Sequence, residues 1–108
     1  AGLSKINQIT IPPRLINYRI VYHLYIVFAE RRDELLNFCQ DEGIEAKIHY
    51  PIPMYLQPAL KHLGHKKGDF PETDRHCNEI ITFPCDQHLT LEQLDFIIET
   101  IINFYKKN

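Results

Sequence analysis

A proline-bounded corner limits this chain more than any other feature. His49-Tyr50-Pro51-Ile52-Pro53 follows an apolar, strand-like segment, and Met54-Tyr55-Leu56-Gln57-Pro58-Ala59 opens a short helical pattern. Proline fixes φ and has no N–H, so a sheet strand cannot run on through Pro51 and Pro53. Any strand here ends by residue 50, and the backbone beyond it is stiff. A polar turn, Leu63-Gly64-His65-Lys66-Lys67-Gly68-Asp69-Phe70-Pro71, then leads into a further helical stretch.

The elements around this corner read as follows. Residues 21–28 are β-branched and aromatic, which predicts a strand buried on both faces. Residues 31–42 carry an apolar stripe of Leu35, Leu36, Phe38 and Cys39, which predicts a helix. Gly43 stands where a left-handed cap is expected, with Ile44 folding back to close it. Residues 45–50 read as a second strand. Residues 57–63 read as a short helix with Pro58 in its first turn. Asp69 is expected to cap a helix over 71–78, and 79–83 reads as a third strand ended by Pro84. Thr90 and Gln93 form a capping box for the last helix. Its apolar side is Leu91, Leu94, Ile98, Ile101 and Tyr105, and Lys106 and Lys107 suit its negative end. Before all of these, Pro12-Pro13 breaks residues 1–20 into a linker or strand edge. The order predicts an α+β fold, a small two-layer sandwich of helices on a short three-stranded sheet. If the first two strands were parallel neighbours, their crossover would be right-handed.

A length of 108 residues allows one domain at most. The 44% hydrophobic content is enough for a core. Twelve basic and 14 acidic residues give a net charge of −2, which leaves no electrostatic footprint for nucleic acid or an anionic membrane. No apolar run approaches the roughly 20 residues of a membrane span, and no leader is visible. The start at Ala1 rather than at a methionine points to sequence missing upstream.

Other chemistries find little support. The three cysteines, Cys39, Cys77 and Cys85, match no zinc or redox spacing and read as free thiols in a reducing cytoplasm. His62 and His65 straddle a helix end, so no helix fixes them as a metal pair. Cys85 is the most plausible nucleophile of the three thiols, yet no orienting group accompanies it. With four scattered glycines there is no phosphate loop. Lys66-Lys67 reads as a solvated turn. His49 and Tyr50 differ, because they end a strand beside a rigid corner, where sites are usually built. From the residues alone, His49 reads as a satisfied polar side chain and Tyr50 as core.

Several pieces stand along the chain in this order: Tyr22-His23-Leu24-Tyr25, Arg32-Asp33-Glu34-Leu35, Gly43-Ile44, His49-Tyr50-Pro51-x-Pro53, Gln57-Pro58-Ala59, Leu63-Gly64, Gly68-Asp69-Phe70-Pro71 and Leu89-Thr90-x-x-Gln93. In that order the chain resembles the C-terminal part of the DegT/DnrJ/EryC1/StrS family of sugar aminotransferases. At Tyr55 it departs from the family, which often has histidine there. The resemblance implies the small C-terminal domain of a fold-type-I aminotransferase over 21–108, with 1–20 as an interdomain segment and the large domain absent. It implies a full-length, cytoplasmic, homodimeric enzyme dependent on pyridoxal 5'-phosphate (PLP). That enzyme would move an amino group, from L-glutamate, to a nucleotide-linked keto-sugar for polysaccharide or deoxyaminosugar synthesis. His49 is then the leading substrate contact, with Tyr50, Tyr55 and Gln57 behind it. The Schiff-base lysine belongs to the large domain, so this piece is expected to hold no PLP and to be inactive alone. The competing class is a non-catalytic α+β protein-interaction module, and a small metal-binding protein is a third. An upstream reading frame with a lysine in Schiff-base context would separate the first two.

Overall fold

A computed structural model describes residues 2–106. Three strands, β1 (Ile9–Thr10), β2 (Tyr25–Ala29) and β3 (Ile80–Phe83), form an antiparallel sheet in the order β1-β2-β3. The helices are α1 (Arg32–Asp41), α2 (Pro71–Glu79) and α3 (Leu91–Lys106). Short 3-10 turns occupy Met54–Leu56 and Pro58–Leu63.

The register sets the two faces. Ile9 pairs with Ala29, Val27 with Ile81 and Tyr25 with Phe83, so these six side chains share one face. That face meets Leu35 and Cys39 of α1 and Ile97, Ile101 and Phe104 of α3 in one apolar cluster. Helices over a three-stranded sheet are the α+β arrangement that the sequence predicts. Ile26, Phe28, Ile80 and Thr82 point the other way, and α2 reaches that second face where His76 lies 4.9 Å from the Phe28 ring. Arg32, nearly buried, donates to the carbonyls of Cys77 at 3.0 Å and Ile80 at 2.9 Å, tying the start of α1 to the α2–β3 junction.

Several expectations need correction. The strand expected over 21–28 begins only at Tyr25. Tyr22 has φ of 50°, which turns the chain out of extended geometry, and Val21 is 83% exposed. Residues 45–50 form no strand. Lys47 alone makes a bridge, giving its N–H to Thr82 at 3.0 Å and accepting from Thr82 N at 2.8 Å. The strand expected over 79–83 is present as β3, and the remaining strand of the sheet is instead Ile9–Thr10, from the segment read as a linker or strand edge. The sequence left strand order open, and the case of parallel neighbours does not arise: β3 enters between β2 and residue 47, and the pairings among the described residues are antiparallel. Asp69 does not cap α2. Phe70 is the N-cap residue, and the Asp69 carboxylate instead accepts from Lys66 N at 3.0 Å within the loop.

Local signals fared better. Gly43 has φ of 81°, with Gly43 N on Gln40 O at 3.0 Å and Ile44 N on Cys39 O at 2.8 Å, the paired closure of a Schellman motif. Thr90 and Gln93 make both bonds of the capping box. Lys106 stands in the last turn of α3, and Lys107 lies outside the described residues.

Candidate functional site

The corner at His49 is built from the Schellman turn onward. Gly43 reverses the chain after α1, and Ile44 and Ala46 go into the core. Lys47 then bridges to Thr82 at the sheet edge. On such an edge, the residue two beyond a bridge is a diagonal neighbour on the same face. That residue is His49, and its Nδ1 lies 2.9 Å from Thr82 Oγ1. Thr82 is only 7% exposed, whereas His49 is half-buried. Among the described residues Nε2 has no hydrogen-bond partner, so one ring nitrogen is anchored and the other is available.

Tyr50 follows with φ of 60°, left-handed backbone that costs a bulky residue about 1–3 kcal/mol. Its carbonyl accepts from Cys77 Sγ at 3.6 Å, and its ring is 80% exposed. Pro51 and Pro53 stiffen the next step. Gln57 Nε2 donates back to Ile52 O at 3.3 Å, closing the corner on itself. Tyr55 points inward at 9% exposure, with its ring 4.9 Å from Phe70 and 6.4 Å from His65. Its hydroxyl donates to Asp74 Oδ1, while Asp74 Oδ2 accepts from Gly68 N at 2.9 Å. Burial first, then the Asp74 carboxylate, pushes the Tyr55 phenol above its ordinary range.

The four residues singled out from sequence thus share one corner and do different things there. His49 and Tyr50 present groups outward. Gln57 and Tyr55 brace the backbone that carries them. Sequence reasoning gave no site role to Thr82, Asp74 or Arg32, although Arg32 stands in one of the pieces that carry the family resemblance. Thr82 carried a signal, as the one polar residue within Ile80-Ile81-Thr82-Phe83. Asp74 gave none, because an acidic residue early in a helix is ordinary.

Other sites are less suited to chemistry. A cleft of about 470 Å³ opens beside the start of α1. Its cations are already paired, Arg31 with Glu34 and Arg32 with Asp33. Burial, helped by Glu42, pushes the Cys39 thiol up to about 11, away from reactivity at neutral pH. Among the described residues, no three His, Cys, Asp or Glu side chains converge as a metal site, and no helix is long and apolar enough to cross a membrane.

A model of the DegT/DnrJ/EryC1/StrS aminotransferase family matches residues 1–102. The chain is 33% identical over 102 residues to a pleiotropic regulatory protein of Geobacillus stearothermophilus, covering 94% of this chain and 27% of that protein. It is 30% identical over 101 residues to the dTDP-3-amino-3,4,6-trideoxy-alpha-D-glucose transaminase of Streptomyces venezuelae, covering 94% and 27%. The crystal structure of S. venezuelae DesV in complex with a ketimine intermediate superposes with a TM-score of 0.89 at 29% identity, over 95% of this chain and 28% of that one. The chain therefore spans about a quarter of the length of the proteins it matches.

Proposed function

The chain belongs to the DegT/DnrJ/EryC1/StrS aminotransferase family, and on that premise we propose that it is the C-terminal small domain of a nucleotide-sugar aminotransferase. In this reading the whole enzyme is a cytoplasmic homodimer. It takes an amino group from L-glutamate and places it on a nucleotide-linked keto-sugar for polysaccharide or deoxyaminosugar synthesis. Residues 21–108 form the small domain, and residues 1–20 run between domains while lending it β1.

The family is PLP-dependent. PLP supplies the electron sink for amino transfer, and the protein supplies position and electrostatics. In this reading PLP is held by the rest of the enzyme: among the described residues Lys5, Lys47, Lys61, Lys66, Lys67 and Lys106 are all exposed, and none lines the 470 Å³ cleft. The role proposed for this chain is at the sugar-nucleotide end. The observation that carries it is the His49 ring, held at Nδ1 on a stiff corner with Nε2 left to meet a ligand. Tyr50 adds an exposed ring beside it, and Tyr55 and Gln57 keep the corner in shape.

The test is His49→Ala in the full-length enzyme. Loss of a hydrogen bond that leaves a polar partner unsatisfied costs about 1–3 kcal/mol. This corresponds to roughly 5- to 150-fold in kcat/KM for the keto-sugar. The half-reaction with the amino donor alone lacks the nucleotide and should change far less. Stopped-flow traces of the two half-reactions decide it. Equal loss in both would assign His49 to the fold or the cofactor, and no loss in either would return it to a structural histidine.

A further inference from the structure

We propose that Thr82 is a positioning residue for His49: its hydroxyl donates to Nδ1 and thereby fixes the proton on Nε2, turned toward substrate. The inference rests on the reading of His49 given above and deepens it. Thr82 is well placed for such a role. Its backbone N–H and C=O are both bonded to Lys47, so the residue cannot shift without breaking the bridge. It is nearly buried, so water competes poorly for its hydroxyl. The 2.9 Å contact engages one ring nitrogen and leaves the other.

The tautomer follows from the chemistry of the partner. In a neutral imidazole one nitrogen donates and the other accepts. A nucleotide-sugar offers mostly acceptors, in its phosphate oxygens and its keto group. A donor at Nε2 matches them, and it requires Nδ1 to be the acceptor. The hydroxyl of Thr82 is the group that can donate to it. A valine or alanine at position 82 would keep the strand and leave the ring free to turn over or change tautomer.

Two measurements test this in the full-length enzyme. Nitrogen-15 NMR of the His49 ring, without substrate, should show the Nε2–H form at neutral pH; an Nδ1–H ring would overturn the proposal. Thr82→Val preserves shape and both backbone bonds but removes the hydroxyl. It should lower the keto-sugar half-reaction roughly 3- to 10-fold, leave the donor half-reaction unchanged and mix the tautomers. Thr82→Ser should restore both readouts. In a His49→Ala background, Thr82→Val should cost nothing further, because the two residues act as one unit. An equal cost with and without His49, or a parallel fall of both half-reactions, would mean that Thr82 merely holds the fold and would sink the idea. If His49→Ala itself proved silent, the functional reading would fall. The tautomer measurement would still judge Thr82 on its own.

Discussion

Gly43 is the hinge on which the His49 corner turns, and replacing it isolates one physical cause. Its φ of 81° belongs to the left-handed region, while a Cβ built there would meet nothing within 4 Å. Gly43→Ala therefore adds no clash and loses no contact. What remains is the intrinsic cost of left-handed backbone for an L-residue, about 1–2 kcal/mol. Against this stands the smaller entropy of the unfolded chain with alanine, which returns about 0.4–1 kcal/mol. The net loss is about 1 kcal/mol. For a domain of this size that lowers Tm by roughly 4–8 °C, or the urea midpoint by about 0.3–1 M. Gly43→Asn should lose less, since asparagine tolerates the left-handed region. The Gly43 and Ile44 amides, which close on Gln40 and Cys39, should exchange hydrogen faster in the alanine variant than in either other form. Alanine as stable as glycine, or asparagine worse than alanine, would refute the backbone argument.

Two further outcomes follow from burial and from the lysines. The chain mixed with PLP and reduced with borohydride should carry no stoichiometric pyridoxyl adduct on any single lysine; one such adduct, located by mass spectrometry, would contradict the assignment of the cofactor to another part of the enzyme. The Cys39 thiol, ordinarily near 9.0, is pushed up to about 11 by burial and Glu42. Well below pH 9 it is neutral in both states and its contribution is fully present. From pH 9 toward 11 the unfolded chain ionises first, and stability of order 2–3 kcal/mol is lost. Tyr105, whose phenol is also raised by burial, adds to the fall. The readout is therefore the shallower decline of Cys39→Ala in urea midpoints between pH 8 and 10.5. Identical declines would show that Cys39 is not titrating.

What the sequence made legible was local. The Schellman turn at Gly43 and the box of Thr90 and Gln93 are closed by residues within five positions of one another, so the pattern contains its own partners. The proline corner was equally plain, because Pro51 and Pro53 act on their own backbone. Strand identity was not. Residues 45–50 look as β-prone as Ile9-Thr10, and only pairing with β2 or β3 tells them apart. The cap at Asp69 failed because the carboxylate was claimed by the loop, a choice no propensity records. His49 could be singled out, but its partner Thr82 lies 33 residues on. Tyr55 could be noted, but not that Asp74 would take its hydroxyl.

The sheet order also has a consequence for how the chain is made. Phe28 in the central strand pairs with Ile80. At about 5–20 residues per second, translation delivers the two roughly 3–10 s apart. During that interval α1 can form, with its glycine turn, but β2 lacks the strand that covers its inner edge. The Tyr105 hydroxyl, which donates to Glu30 O at 2.6 Å, arrives later still, 75 residues after its acceptor. A nascent chain therefore carries an open, apolar strand edge for seconds, and His49 has no Thr82 to turn against until the last quarter is synthesised. Strand edges of this kind recruit chaperones or neighbouring chains. The corner at His49 thus closes only after β3 has been made, however early its own residues emerge.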